Sequence, residues 1–348
     1  MSQSPAAACI RWSNSFMDPQ LTSLSTVLER TDARLRSGAD HPTIWPTGFP
    51  ALDDALSGGL RSGSLLLLAG AQGTGKTTFA LQMARNAAAA GHAVAYFTYE
   101  HDAESMLERL IALEAGLLGD MGAPGLNRVR EAFETDNPAL GGLADRLAET
   151  SVGVEAIKNV ESYGHRLHIH RSTGSTTSLE VITAAVEQVW QETGEAPMVV
   201  VDYLQKVKAD NNLAVEDERV TAIVEGLKDL AIAANVPVTA VVAADKEGLS
   251  SGKRMRAQHL RGSTALAYEA DILLILNNKF DLVSRHHLVF AMGNVDKFKQ
   301  MAVVSIEKNR HGFDGIDLEF KKRFEQSRFQ TDGNRVMEQL VDDRVFTE

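Results

Sequence analysis

The spacing of hydrophobic and polar residues predicts alternating strands and helices through most of the chain. Short apolar runs of strand length alternate with stretches that carry apolar residues at every third or fourth position, which is typical of amphipathic helices. The predicted strands are residues 64–69, 93–98, 167–170, 198–201 and 238–243. The predicted helices are residues 76–90, 103–117, 178–192 and 215–234. This alternation predicts an α/β fold with a mainly parallel sheet and helices on both faces.

The pattern changes toward both ends of the chain. Residues 1–18 are small and polar without a period, which predicts a flexible leader, and an apolar stripe over residues 19–45 predicts a linker helix. Predicted strands at residues 272–276, 287–292, 301–307 and 316–320 follow one another without helices, which indicates an antiparallel C-terminal extension. We therefore expect a main domain over residues 46–324 with a helical insertion at 119–164, followed by a charged tail at 325–348.

Composition and charge restrict the possible partners. The chain has 348 residues and a formal net charge of −11, so any contact with nucleic acid must come from a local basic loop rather than from the whole surface. Its longest apolar runs are strand-sized, well short of the roughly 18 residues that a membrane helix needs. The N-terminus lacks the pattern of a secretory signal. We therefore expect no membrane contact and a cytoplasmic location.

A glycine-rich segment between the first predicted strand and the first predicted helix of the main domain carries the clearest chemistry. It consists of Gly70, Ala71, Gln72, Gly73, Thr74, Gly75, Lys76 and Thr77, and Thr78 follows it. The spacing matches the phosphate-binding loop G-x-x-x-x-G-K-[ST]. Its glycines let backbone N–H groups turn inward around a polyphosphate, Lys76 reaches the β- and γ-phosphates, and the Thr77 hydroxyl binds magnesium. The segment predicts binding of ATP with Mg²⁺.

Two carboxylates at predicted strand ends complete the expected catalytic set. Asp202 follows the strand at 198–201 and is the candidate second group for magnesium. Glu100 follows the strand at 93–98 and is the candidate base that accepts the proton of the attacking water. For each residue the alternative is an ordinary solvent-facing acid at a strand end. With the phosphate loop, the two acids predict an ATP hydrolase.

Further strings of residues resemble the ATPase domain of DnaB-type replicative DNA helicases. They are residues 47–53, 58–60, 201–205, 235–238, 260–263, 269–271 and 307–312. Their order and spacing hold from about residue 47 to residue 320, and Asp-Tyr-Leu-Gln at 202–205 is among the more specific strings. The resemblance implies a RecA-like P-loop fold that assembles into a homo-oligomeric ring, usually of six subunits, with ATP bound between neighbours. Residues 46–324 would then be the ATPase domain.

The same resemblance implies roles for several cations. Lys308 and Arg310 match residues that reach the nucleotide of the adjacent subunit, where a guanidinium stabilises charge on the γ-phosphate. Loops of such rings grip the phosphates of single-stranded DNA. The candidates here are Lys206, Lys208, Lys253, Arg254, Arg256 and Arg261. The alternative for each of these residues is ordinary solvated surface charge.

Two departures from the helicase pattern leave a second function open. Only about 45 residues precede the ATPase domain, so we expect that the helical N-terminal domain of replicative helicases is missing. Ala243 also stands where the family has a glutamine that couples nucleotide state to the DNA loop, and Asp245 and Lys246 are the candidates to replace it. The sequence therefore predicts an ATP-dependent DNA helicase or single-stranded DNA translocase. A RecA-like, clock-type regulatory ATPase without strand separation is the alternative.

Overall fold

A computed structural model describes residues 21–37, 44–119, 122–134, 137–149, 151–209, 213, 215–245, 253–262, 264–284, 287 and 294–343. The strands are β1 Ile44–Trp45, β2 Leu60–Arg61, β3 Leu65–Gly70, β4 Val94–Thr98, β5 Leu167–Arg171, β6 Met198–Asp202, β7 Val238–Ala243, β8 Ile272–Asn278, β9 Met301–Asn309, β10 Ile316–Arg323, β11 Arg328–Phe329 and β12 Asn334–Arg335. The α-helices are α1 Leu24–Ser37, α2 Pro50–Ala55, α3 Lys76–Ala89, α4 Ala103–Leu118, α5 Leu126–Glu134, α6 Leu143–Arg146, α7 Ser151–Gly164, α8 Leu179–Thr193, α9 Glu216–Ala234, α10 Ala265–Glu269, α11 Lys279–Leu282 and α12 Asn294–Lys299.

Ten of the described strands form one sheet. Their order is β11-β10-β9-β8-β3-β7-β6-β4-β5, and β12 pairs with β10. The six strands from β8 to β5 run parallel to one another. By contrast, β9, β10 and β11 pair antiparallel. The predicted architecture, a mainly parallel sheet with an antiparallel C-terminal extension, is confirmed.

Alternate side chains of the central strands feed two hydrophobic cores. Leu66 and Leu68 of β3 pack with Phe79 of α3 on one face of the sheet. On the other face, Leu65 and Leu67 pack with residues of α9. Successive residues of a strand point to opposite faces, so the continuous apolar run of β3 buries both sides of the sheet. The two layers of helices hold the carboxyl ends of the parallel strands in fixed positions.

The C-terminal extension differs from its prediction in two respects. Helices α11 and α12 lie between β8 and β9, so the uninterrupted series of strands predicted after residue 271 is wrong. Of the strand predicted at 287–292, His287 is helical and the remaining residues lie outside the described part of the chain. The described part of the predicted charged tail is packed against the domain. Phe329 is fully buried because its ring packs into the hydrophobic core, and Asn334–Arg335 pairs with β10 through the backbone.

Helix α1 begins at Leu24 rather than at residue 19, since Ser23 caps it by accepting a hydrogen bond from the Thr26 backbone N–H at 3.2 Å. None of its residues is buried. The apolar stripe is open to solvent: Leu21, Leu24, Val27, Leu28 and Leu35 are 45–102% exposed. The predicted leader at 1–18 lies outside the described residues. Among the described helices, none is long and apolar enough to cross a membrane.

Candidate nucleotide-binding and catalytic site

The glycine-rich segment forms the turn from β3 into α3, at the carboxyl edge of the parallel sheet. Gly73 and Gly75 adopt left-handed backbone angles, with φ of 78° and 97°. This conformation favours glycine and lets the chain enter α3 directly after the turn. Thr74 is buried within the loop and donates to the Ala71 carbonyl at 2.8 Å, which braces the turn. The backbone N–H groups at the start of α3 therefore face the cleft.

Lys76 lies in this cleft as a partly desolvated cation. Its ammonium group donates to the carbonyls of Gly70 and Ala71 at 2.8 and 3.0 Å. Burial lowers the pKa of Lys76, while the charges of Asp202 and Glu100 act in the opposite direction. A cation held on a flexible stem beside inward-facing N–H groups suits a polyphosphate.

Asp202 stands at the end of β6, beside the start of α3. Its side chain is 3% exposed and accepts hydrogen bonds from the Tyr96 hydroxyl at 3.1 Å and from Thr77. Burial raises the pKa of the Asp202 carboxyl, while the bonds from Thr77 and Tyr96 act in the opposite direction. A hydroxyl and a carboxylate side by side are the hard oxygen donors that Mg²⁺ prefers, so this pair fits the predicted metal.

Glu100 reaches the same cleft from the neighbouring strand. Thr98 at the end of β4 is the register partner of Asp202, which places the two strand ends side by side. Glu100 is exposed and lines a cavity of about 560 Å³ together with Gly75, Lys76 and Thr77. The predicted phosphate loop, magnesium group and base thus meet around one cavity, as strand ends at one edge of a parallel sheet do.

The cavity is also lined by three side chains that were not among the predicted site residues: His101, Arg109 and Phe324. Arg109 approaches His101 at 3.4 Å, and its buried Nε has no hydrogen-bond partner among the described residues. Burial lowers the pKa of Arg109, and the charge of Arg130 adds to this effect. The ring of Phe324 lies near Gly75 and packs edge-on against Phe329 at 5.4 Å. No contiguous motif marks these three positions, since His101 lies in the loop between β4 and α4, Arg109 lies in α4, and Phe324 follows β10.

The predicted finger residues lie away from this cavity. Arg310 donates to the Asp271 carboxylate at 3.2 Å and to the Tyr268 carbonyl at 2.7 Å. Lys308 donates to the carbonyls of Ala267 and Tyr268 at 2.7 and 2.9 Å. Asp271 accepts a hydrogen bond from the N–H of Leu65, the first residue of β3, whereas the phosphate loop begins at Gly70, the last residue of that strand. The finger residues therefore lie at the amino ends of the parallel strands, whereas the phosphate loop lies at their carboxyl ends.

The predicted DNA-contacting cations fall into two groups. Lys206 is exposed and Lys208 half-buried, and neither has an ion-pair partner among the described residues. The other cations are engaged: Lys253 with Asp343, Arg254 with Asp317, Arg256 with Glu307 and Asp342, and Arg261 with Glu216. Arg254 is only 6% exposed, and its guanidinium is buried against Ser305 and Asp317, so it is the least accessible of these predicted DNA contacts.

Comparison with known proteins assigns the chain to a family. The sequence model of the DnaB-like helicase C terminal domain matches residues 45–331, most of the chain. The chain belongs to the DnaB-like helicase C-terminal domain family. It is 25% identical over 295 residues to the replicative DNA helicase DnaB of Treponema pallidum, covering 84% of this chain and 57% of that protein. It is 30% identical over 235 residues to DnaB of Haemophilus influenzae, covering 66% and 45%. The chain thus spans about half the length of these two curated relatives.

Solved structures with the same fold support the RecA-like prediction. The solved structure of an ATPase domain superposes with a TM-score of 0.68 at 22% identity, covering 89% of this chain and 99% of that one. A DnaB-like replicative helicase, solved in a study of its interactions with primase, superposes with a TM-score of 0.66 at 20% identity, covering 93% and 70%. At these identities the likeness establishes the fold.

In this DnaB-like domain, a glutamine contacts Ala243, the position at which the sequence departs from the expected helicase pattern. The Gln205 side chain accepts a hydrogen bond from the Ala243 N–H at 3.1 Å and donates to the Arg261 carbonyl at 2.9 Å. Gln205 therefore links the end of β7 to the segment that follows residues 253–259. Of the two predicted substitutes, Asp245 bonds through its backbone to the His259 carbonyl, and Lys246 lies outside the described residues. Through these two hydrogen bonds, the glutamine of Asp-Tyr-Leu-Gln makes a connection that the methyl side chain of Ala243 cannot make.

Proposed function

We propose that this chain is the motor domain of an ATP-driven DNA helicase, which hydrolyses ATP at the contacts between copies of itself and works on single-stranded DNA in the cytoplasm. The observation that carries the proposal is the convergence of Lys76, Thr77, Glu100 and Asp202 on one cavity in a DnaB-like domain. The cavity of about 560 Å³ is large enough for a nucleoside triphosphate.

The phosphate loop and its neighbours position the triphosphate. Backbone N–H groups of residues 73–77 surround its phosphates, and Lys76 transfers its hydrogen bonds from the loop carbonyls to the β- and γ-phosphate oxygens. Thr77 and Asp202 would hold magnesium, which neutralises charge on those phosphates when bound. The ring of Phe324, which is 37% exposed, offers an apolar wall for the base or ribose.

Glu100 acts as the base toward the attacking water. Its carboxylate is exposed on the cavity wall, so it can accept the proton of a water aligned with the γ-phosphate. Arg109, whose buried Nε lacks a partner among the described residues, is a second cation on the same wall. It provides donors for the phosphate oxygens within the same subunit.

Arg310 acts on the nucleotide of a neighbouring subunit. Because it lies at the amino ends of the parallel strands, it serves a second copy of the chain rather than its own phosphate loop. The exposed leucines of α1 need an apolar partner, and an adjacent subunit of the same ring supplies one. These two features favour a closed, head-to-tail oligomer, which we expect to be a hexamer.

Lys206, Lys208 and Arg219 form the surface that binds single-stranded DNA. All three line a groove of about 740 Å³ next to the nucleotide cavity, and both cavities include Tyr203 and Arg261. Lysines that no carboxylate neutralises in the described part of the chain are the cations most available to phosphates. Gln205 lines this groove and accepts a hydrogen bond from the N–H of Ala243, which lines the nucleotide cavity, so it couples the end of β7 to the groove.

A forked-DNA displacement assay with ATP and magnesium tests the proposal. Single-stranded DNA should stimulate hydrolysis, and the wild-type chain should separate the strands. Lys206→Gln/Lys208→Gln should weaken single-strand binding roughly tenfold and flatten its salt dependence by about 1.4 in log–log slope, because two phosphate contacts are lost. Lys297→Gln/Lys299→Gln changes the same charge at exposed positions of α12, and we expect it to behave as wild type.

Two results would contradict the proposal. Hydrolysis that ignores single-stranded DNA, without strand displacement, would support the regulatory ATPase instead. Equal losses in the two double variants would show that net charge, not the groove, governs DNA binding.

A further inference from the structure

The end of the described chain lies across one of the predicted DNA-contacting segments. The last two residues of the segment 336–343, here called the C-terminal segment, lie beside residues 253–256. Lys253 and Asp343 form an antiparallel bridge, and the Arg254 N–H donates to the Asp342 carbonyl at 2.8 Å. The segment thus covers these residues by backbone pairing, as an added strand does.

The acidic side chains of the C-terminal segment engage the exposed Lys253 and the half-buried Arg256, which also pairs with Glu307 at 2.8 Å. Asp342 accepts hydrogen bonds from Arg256 Nε and Nη2 at 3.1 and 2.7 Å. Asp343 lies 3.9 Å from the Lys253 ammonium group. Two donors of one guanidinium directed at one anion are also how arginine holds a phosphate, so Asp342 occupies the place that a nucleic-acid phosphate would take.

The two ends of this segment differ in how firmly they are held. Near its start, Glu338 pairs with Lys279, which is fully buried and also pairs with Glu319. The Val341 N–H donates to the Leu282 carbonyl at 2.8 Å. At its far end, the Asp342 side chain is 67% exposed, where solvent and salt weaken an ion pair. The start of the segment therefore stays in place, while its acidic end can be displaced.

We propose that Asp342 and Asp343 compete internally with single-stranded DNA for Lys253 and Arg256. The proposal rests on the proposed function, since it requires that the chain bind single-stranded DNA. DNA engages Lys206 and Lys208 first and gains the two further cations only when its phosphates displace the carboxylates. The competition lowers affinity for short or isolated strands and makes tight binding depend on several phosphates acting together. Arg254 takes no part, because it is buried against Asp317.

Binding of a fluorescent oligothymidylate by the full-length chain, at several salt concentrations and with a non-hydrolysable ATP analogue and magnesium, tests this inference. Asp342→Asn/Asp343→Asn should bind roughly tenfold more tightly than wild type, with a log–log salt slope steeper by about 1.4, because two more phosphates are neutralised. Asp314→Asn/Asp332→Asn removes the same charge from two exposed positions outside the C-terminal segment and serves as the control. Adding Lys253→Gln to the first variant should remove about half of its gain in slope.

Three results would overturn the inference. If wild type binds the oligonucleotide and Asp342→Asn/Asp343→Asn binds it no better, the carboxylates do not compete, although the proposed function stands. If the control variant gains as much, the effect comes from net charge. If wild type and variants all fail to bind, DNA is not the ligand, and the proposed function falls together with the inference.

Discussion

The position of Arg310 leads to a test of whether active sites form between subunits. β3 runs from Leu65, whose N–H bonds the Asp271 carboxylate beside Arg310, to Gly70, where the phosphate loop begins. Five residue steps along a strand span about 17 Å. This separation exceeds the reach of an arginine side chain that is already held by Asp271 and Tyr268. Within one chain, Arg310 therefore cannot serve the loop that contains Lys76.

Two variants with defective sites are mixed to test this. Lys76→Ala should abolish turnover, and Arg310→Ala should lower it by about a thousandfold while leaving nucleotide binding largely intact. In a ring assembled from equal amounts of both, a site is complete when the loop comes from an Arg310→Ala subunit and the finger from a Lys76→Ala neighbour. Random order makes about one site in four complete, so the mixture should regain about a quarter of wild-type turnover.

The assay is steady-state ATP hydrolysis after the two variants are dissociated and reassembled together. A parallel mixture of wild type with Lys76→Ala shows whether sites work independently, and it should keep about half of wild-type turnover. Arg335→Ala, which removes an exposed arginine from β12, should keep full activity alone. Turnover of the variant mixture that stays at the background of either variant, while the parallel mixture keeps its half, would refute an arginine acting between subunits.

Two further predictions concern the loop and the magnesium group. Gly75→Ala should lower kcat/KM for ATP roughly a hundredfold, because a Cβ there would lie 2.7 and 2.8 Å from the rings of Phe324 and Phe329 and would shift the loop. The control, Gly91→Ala, has the same left-handed strain but no neighbours within 4 Å, so it should lose only stability. Equal kinetic losses in the two variants would contradict this reasoning. Burial raises the pKa of Asp202 above its ordinary 3.8, so the protonated carboxyl is favoured in the folded state. The free energy of unfolding therefore falls as the pH rises from 3.8 through the folded-state pKa, where the buried carboxyl ionises. Nucleotide-free Asp202→Asn should thus melt above wild type at pH 7 to 8, with a gap that narrows toward pH 4; calorimetry showing no such narrowing would argue against a desolvated carboxylate.

Local pattern was sufficient to predict the turn that carries the phosphate-loop sequence and most of the sheet. The phosphate loop is one contiguous segment, and its conformation follows from the glycines at 73 and 75 and from the strand and helix on either side. Asp202 and Glu100 could be placed beside it because parallel strands present their carboxyl ends at one edge. The bounds of β3, β6 and β7 differ from the prediction by one residue at most, since buried parallel strands are continuous apolar runs.

The availability of the predicted DNA-binding cations depends on distant partners. Lys253, Arg254 and Arg256 formed a basic stretch in the sequence, yet each is paired with an acid from β9, β10 or the C-terminal segment. The sequence shows that these residues are charged, but whether they can bind phosphate depends on acidic partners some 50 to 90 positions away. In the same way, Gln205 bonds the Ala243 backbone across two strands.

Interactions between neighbours in the chain, such as turns, helix caps and hydrophobic periodicity, depend on short stretches of residues and can be recognised before folding is considered. The contribution of a charged side chain depends on whether packing brings an opposite charge within hydrogen-bonding distance and removes the surrounding water. For this reason the chain's sequence was enough to predict an ATP-binding α/β domain. Packing decided which of its cations are free, that Arg310 faces away from its own phosphate loop, and that the C-terminal acids lie over Lys253 and Arg256.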